Sequence, residues 1–316
     1  MDVWKQYIKG FKAYILMERT YSQNTFVSYL FDLQKFFDFM NTNHRDITPQ
    51  STTTAHIRDF VNHINTKVDG DADSRILKAS SQNRLLSSLR AFFKYLLIEN
   101  EIEDDPTALV GQAKLPSKLP EVLTNDEIML MINACDKSTY HGFRNYLLIE
   151  VLYATGLRIS ELINLKISDV FFREEFIRVV GKGNKERIVP IGKIALRQLK
   201  IFIRNWRTTI NIPPKNEQYI FLNRRGNKMT RQYAFMVLKD LALRAGITKN
   251  VHPHTLRHSF ATEMVMRGAN IMTVKDMMGH TSVSSTEIYT NFDTSTLRET
   301  LMLFHPLYNN KHKMKI

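Results

Sequence analysis

Six side chains in the second half of this sequence carry chemistry in apolar or turn-rich settings where packing alone would not ask for them. They are Arg158 in Ala154-Thr-Gly-Leu-Arg-Ile-Ser-Glu161, Lys182 in Gly181-Lys-Gly-Asn-Lys-Glu186, His254 and Arg257 in His-Thr-Leu-Arg, His280 after Met-Met-Gly, and Tyr289 in Glu-Ile-Tyr-Thr. The set holds guanidinium forks suited to an oxyanion, groups able to move protons, and a hydroxyl nucleophile. Each member alone has a plainer explanation. Arg158 could pair with Glu161 across a helix turn, Lys182 could decorate a turn, His280 could cap a helix after Gly279, and Tyr289 is one of 12 tyrosines, most of them packing. Taken singly, none of them names a reaction.

The elements that must hold these residues are mostly helical. Thr124 to Ala134, Asn145 to Ala154, Ile194 to Trp206, Thr230 to Ala245 and Thr255 to Arg267 have helical apolar spacing. Phe176 to Val180 and Arg187 to Ile191 are β-rich runs around the glycine-bearing turn that holds Lys182, which predicts a hairpin. Tyr219 to Leu222 is expected to add a third short strand. Upstream, Phe26, Tyr29, Leu30, Leu33, Phe36, Phe37 and Met40 line one helical face, and Leu85, Leu86, Leu89, Phe92, Phe93 and Leu96 line another. With Trp4 to Met17 and Thr53 to Ile64 they predict a four-helix unit over residues 1–112. The proline-bearing stretch 113–120 reads as an extended linker, and residues 121–316 form the second domain, with a C-terminal helix and a basic tail. The expected fold is mainly α: an all-α first domain followed by an α+β domain with a small sheet.

Length and charge narrow the class. A chain of 316 residues suggests two domains. Cys135 is the single cysteine, so no internal disulfide can form and a reducing compartment fits. No stretch is long and apolar enough to read as a membrane span. Residues 1–112 hold 13 Lys+Arg against 14 Asp+Glu, whereas residues 113–316 hold 31 against 17. The basic excess of the second part suits a polyanion such as nucleic acid, although anionic membranes or plain solubility also use such charge. Asp69-Gly-Asp-Ala-Asp73 begins like a calcium loop, but Ser74 stands where the turn glycine belongs and Ser80 where the bidentate glutamate belongs, so it reads as a solvated loop.

Taken together, the motifs resemble a known family. ATGLR-x-SEL, GKGNKERIVPI, HTLRHSFAT, MGH and a tyrosine nine residues beyond that histidine are similar, in this order, to the tyrosine recombinases of the phage-integrase type. MERTYSQNTFVSYLFDLQKFF, NRLLSSLRAFFKYL and the KLPSKLPEVLT hinge resemble the core-binding domain of the Xer branch. The resemblance implies cleavage and religation of DNA through a 3′-phosphotyrosyl intermediate and a Holliday junction, with Tyr289 as nucleophile. Arg158 and Arg257 would stabilise the non-bridging oxygens and His280 would add a hydrogen bond. His254 would hold or move the nucleophile's proton, and Lys182 would protonate the departing alkoxide. Glu161 would orient the group beside it, Arg158. Lys185 falls outside the matched position, and Ser160 and Thr255 read as helix-start residues.

The phosphotyrosyl ester keeps the bond energy, so neither ATP nor metal is expected, and GKG lacks the spacing of a nucleotide-binding loop. The implied partners are a double-stranded recombination site, a homo-tetramer or a hetero-tetramer with a second recombinase, and a DNA translocase as a candidate activator. The implied location is the cytoplasm, on the nucleoid, and the leading role is chromosome dimer resolution. Thr262-Glu263 and the residues after Tyr289 depart from common Xer wording, which keeps an integrase or invertase of a mobile or phase-variable element open. Two further readings have sequence support. A metal-dependent hydrolase would use His252, His254 and His258, but no Asp or Glu lies between Asn250 and Thr262. A DNA-binding regulator without catalysis would have no need of the complete set of six. The apolar stripe of 296–304 serves either self-docking or exchange with a neighbouring protomer.

Overall fold

The computed structural model describes residues 2–17, 23–65, 79–113, 121–181, 186–279 and 294–308. The predicted loop around Asp69, the linker stretch 114–120 and the basic tail therefore lie outside the described residues. The chain divides into two compact units, residues 1–118 and 119–316.

The first unit contains α1 (Asp2–Met17), α2 (Gln23–Asn43), α3 (Thr54–Asn65) and α4 (Ala79–Ile98). The apolar faces read from spacing converge on an aromatic core. Trp4, Phe36, Phe60, Phe92 and Phe93 are all at most 5% exposed, with the Phe36 and Phe60 rings 5.0 Å apart in edge contact. Burying each ring contributes about 1.5–3 kcal/mol. One charge sits inside this core: fully buried Asp32 of α2 accepts from Arg84 (2.6 Å) and Ser88 (2.8 Å) of α4. The pair fixes how α2 and α4 face each other, because a buried carboxylate is tolerated only where donors meet it.

The second unit contains α5 (Asn125–Asn133), α6 (Tyr140–Thr155) and α7 (Ile159–Ile163). After them come β1 (Val170–Phe171), β2 (Phe176–Val180), β3 (Glu186–Pro190), α8 (Lys193–Ile201), α9 (Arg231–Arg244), α10 (Pro253–Met266), α11 (Ile271–Met278) and α12 (Thr294–Phe304). Helix α6 is the axle of the core. Apart from His141 and Asn145 every residue along it is buried, so it is surrounded by protein rather than lying on a surface. It begins five residues earlier than its apolar spacing predicts, because the Thr139 hydroxyl accepts from Gly142 N and caps the first turn. It stops at Gly156, whose φ of +62° is left-handed and whose missing Cβ leaves room for the Phe260 ring. Fully buried Arg144 bridges α6 to its surroundings, donating to the Leu222 carbonyl (3.0 Å) and the Tyr233 hydroxyl (3.0 Å).

The sheet is antiparallel in the order β1-β2-β3, and the hairpin register runs from Phe176↔Pro190 to Val180↔Glu186. The expected hairpin is present. The third strand is not the one expected: Val170–Phe171 pairs with β2, while Tyr219 and Leu222 form only isolated bridges to Lys166 and Lys228. Ile220, Phe221 and Leu222 are fully buried, so their apolar run reflects burial on all sides rather than membership of a sheet. Helices α7 and α11 were not visible as patterns, since five and eight residues are too short to develop a periodicity. At the end of the chain, α12 packs on its own unit. Leu297 and Leu301 are buried, Arg298 pairs with Glu175, and buried His305 meets the Tyr153 carbonyl at 3.0 Å.

Candidate active site

Four elements meet at the C-terminal end of α11. The turn after α6 supplies Arg158 and α7 supplies Glu161; β3 supplies Arg187 and α10 supplies His254 and Arg257. Arg158 precedes the first residue of α7 in extended conformation (φ −70°, ψ 145°), and its backbone N–H donates to Glu161 Oε2 at 2.8 Å. The αL turn at Gly156 thus ends one helix just before Arg158 starts the next. The same glutamate, with a side chain only 3% exposed, also accepts from Arg158 Nη1 at 3.0 Å. That is the turn-spanning ion pair that their spacing allows.

Helix α10 begins two residues before its apolar pattern predicts. Pro253 occupies the first helical position, where a missing N–H costs nothing, and His252 Nδ1 accepts from Thr255 N at 3.2 Å. This start places His254 and Arg257 three positions apart within one helix, and so on the same side. Arg257 is 5% exposed and donates to the Gly156 carbonyl (2.6 Å) and the Met278 carbonyl (2.5 Å). Arg158 donates in turn to the Gly279 carbonyl at 3.1 Å. Both arginines therefore clasp the last carbonyls of α11, the negative end of that helix. Gly279 ends it with φ +66°.

Arg187 was not singled out in the sequence. Its guanidinium, 6% exposed, meets both oxygens of Glu161, Nη1 to Oε1 at 2.7 Å and Nη2 to Oε2 at 2.9 Å. Its position at the start of β3, next to the lysine-bearing hairpin tip, was the one available signal, and an arginine near a turn is most often solvated. Three guanidiniums and one carboxylate thus share the site, a net excess of two positive charges.

Electrostatics follow from this crowding. Desolvation alone would raise the Glu161 carboxyl, but the hydrogen bonds and charge of Arg187, then those of Arg158, outweigh it and hold the group below the usual carboxylate range. Burial pushes the Arg257 guanidinium down to about 10, aided by the nearby Arg158 charge. His254 lies exposed at the rim, yet the burial its ring does have, and then the charges of His252, Arg257 and Arg158, lower its pKa. It is neutral at pH 7 and able to accept a proton.

Arg158, Glu161, Arg257 and His254 are therefore brought together. Lys182, His280 and Tyr289 lie outside the described residues, as does Lys185. The hairpin register closes toward 181–185, and Gly279, held by Arg158, immediately precedes His280. Ser160 and Thr255 sit in the first turns of their helices, Thr255 in the cap formed with His252. Of the three histidines of the hydrolase reading, His252 and His254 lie ring to ring at 6.4 Å. Among the described residues no three His, Cys, Asp or Glu side chains are arranged to hold a metal ion, and His252 is engaged in its cap.

Comparison with known proteins gives a consistent result across both units. Residues 121–295 match the phage integrase family, and residues 8–100 match the N-terminal SAM-like domain of phage integrases. The tyrosine recombinase XerD of Listeria monocytogenes is 35% identical over 299 residues, covering 95% of this chain and 98% of that protein. The tyrosine recombinase XerD of Staphylococcus epidermidis is 35% identical over 302 residues, with the same coverage of both chains. Among solved structures, the post-cleavage complex of XerH recombinase with a palindromic difH substrate has the same fold. Its TM-score is 0.66, at 24% identity, covering 87% of this chain and 78% of that one.

Proposed function

Since the chain belongs to the phage integrase family, and is a site-specific DNA recombinase of the tyrosine type like its Xer relatives, we propose that Arg158, Arg257 and His254 are its catalytic centre, completed by Lys182, His280 and Tyr289. The observation that carries this reading is the clasp of the two guanidiniums on the Met278 and Gly279 carbonyls, directly before His280. A phosphodiester entering here competes with those carbonyls for N–H donors. Substrate binding and the end of α11 are thereby coupled.

In the proposed step the Tyr289 oxygen attacks the scissile phosphorus, a 3′-phosphotyrosyl bond forms and the bond to the 5′ oxygen breaks. His254, neutral at working pH, takes the phenol proton, and Lys182 gives a proton to the departing alkoxide, which is far more basic than a phenolate. Charge building on the two non-bridging oxygens meets Arg158 and Arg257, with His280 adding a hydrogen bond. The site's excess positive charge offsets an extra negative charge in the transition state rather than only the single one of the ground state, and stabilisation of this kind is usually the largest catalytic contribution. Reversal by the 5′ hydroxyl of a second strand gives recombination without ATP.

The biological role we assign is resolution of chromosome dimers by a tetramer acting on two paired sites, as a homo-tetramer or with a second recombinase, under a DNA translocase where activation is required. Action on a chromosome would put it in the cytoplasm. Among the described residues no helix is long and apolar enough to cross a membrane. The test is capture of protein-linked 3′ ends from nicked total DNA of the source organism, using wild type and Tyr289→Phe. Wild-type-only ends at one chromosomal palindrome support dimer resolution. Ends that bound an insertion or an inverted segment move the protein to a mobile or phase-variable element, and Tyr289→Phe that binds the captured site but forms no adduct excludes a purely regulatory role.

A further inference from the structure

The ion pair between Glu161 and Arg158 is lopsided. Glu161 has a side chain 3% exposed, whereas that of Arg158 is 35% exposed, so a buried carboxylate faces a partner at the rim. Arg187 answers this from below. It takes both carboxylate oxygens in a fork, at 2.7 and 2.9 Å, and leaves the Arg158 guanidinium a single contact, to Oε1 at 3.0 Å. It also lies against the turn that ends α11: its Nε donates to the Met277 carbonyl at 3.4 Å, and a Cβ on Gly279 would stand 2.9 Å from its Nε and Cζ. One side chain thus touches both the group that holds Arg158 and the backbone that leads into His280.

We propose that Arg187 is a positioning residue for DNA cleavage: by satisfying Glu161 it keeps Arg158 from being drawn inward into a bidentate pair and leaves it turned to the phosphate. The same guanidinium packs on Gly279 at the end of α11, which holds the fork in place against Glu161. Without Arg187 the buried carboxylate has one charged partner left, and it either captures that partner fully or takes up a proton. Lysine at this position would restore charge but not the planar fork. The inference rests on the recombinase reading of the site.

The experiment uses the full chain and a nicked duplex carrying the captured recombination site. It compares wild type with Arg187→Met, Arg187→Lys, Glu161→Gln and the Glu161→Gln/Arg187→Met pair by single-turnover adduct formation, DNA affinity and thermal melting. We expect Arg187→Met to cleave at least about a hundredfold more slowly with affinity changed less than about threefold, and Arg187→Lys to regain the fold but not the rate. The double variant should be no slower than Glu161→Gln alone, because Arg187 acts through that carboxylate. If Arg187→Met does not fold, the double variant, which carries no orphaned charge, and Arg187→Lys still decide the matter. Arg187→Lys cleaving like wild type, or losses that multiply in the double variant, would overturn the positioning role. Wild type that forms no adduct would overturn the recombinase reading instead.

Discussion

Arg158 and Arg257 differ in what surrounds them, and that difference predicts what lysine would do at the second. Arg257 is buried and spans two carbonyls from different elements, Gly156 and Met278, which a single ammonium cannot do in the same plane. Arg257→Lys should slow cleavage by about 10²–10³-fold while affinity for the site changes less than about tenfold, measured by adduct formation and fluorescence anisotropy. A proportionate fall in both would mean that Arg257 only helps to bind DNA. His254 gives a second test. Its pKa lies below the ordinary 6.5, so the neutral base persists into mildly acidic solution, and the cleavage rate should fall only at pH values below that. His254→Gln should be slow and should lose this acidic limb; a limb that persists in the variant would assign it to another group. His254, Arg257, Arg158 and Glu161 were all legible as residues, because arginines and histidines in apolar or turn-rich segments need a reason to be there. Arg187 was not, since its importance comes from a carboxylate 26 positions away in sequence.

Among the elements, α6 carries a titration the sequence could not announce. Glu150 faces the core at 4% exposure, and desolvation, opposed only in part by Lys137, raises its carboxyl to about 7. A folded-state pKa above the unfolded value means that this group's contribution is complete below about pH 4.5 and is lost as pH rises through 7. The second unit should therefore lose about 3 kcal/mol of stability between pH 4.5 and 8 from this group alone. Glu150→Gln should abolish that part of the pH dependence in thermal melts, whereas equal slopes in the two proteins would show that Glu150 is hydrated. The Glu161 carboxyl has the opposite sign: its depressed pKa gives stability that is present at neutral pH and disappears as pH falls through the carboxylate range. Long helices were readable because spacing of three and four persists over many residues. The start of α6 was hidden because a cap is a single-residue signal outside the apolar spacing, α7 and α11 because they are too short to develop a periodicity, and the third strand because its pairing partner is fixed by tertiary contact.

For the whole molecule, charge and division of labour were written in the sequence more openly than geometry. Residues 113–316 hold 31 Lys+Arg against 17 Asp+Glu, and the motifs that contain the six candidate catalytic residues lie in the same part. DNA affinity should accordingly fall at least about a hundredfold between roughly 50 and 200 mM salt, because counterions released from the phosphates gain less entropy on entering more concentrated salt. Binding that is indifferent to salt would contradict a phosphate-led interface. The recombination site itself was not legible, since base recognition depends on a few groove-facing side chains and not on net charge. In the proposed mechanism Tyr289 would join a DNA 3′ end without help from a metal. The most direct measurement is adduct formation on nicked DNA in excess EDTA, with the linked peptide identified by mass spectrometry in wild type and Tyr289→Phe. A 3′-phosphotyrosyl peptide containing Tyr289 is expected at an undiminished rate in EDTA, and none in the variant. An adduct that survives Tyr289→Phe, or cleavage abolished by EDTA and restored by zinc, would contradict it.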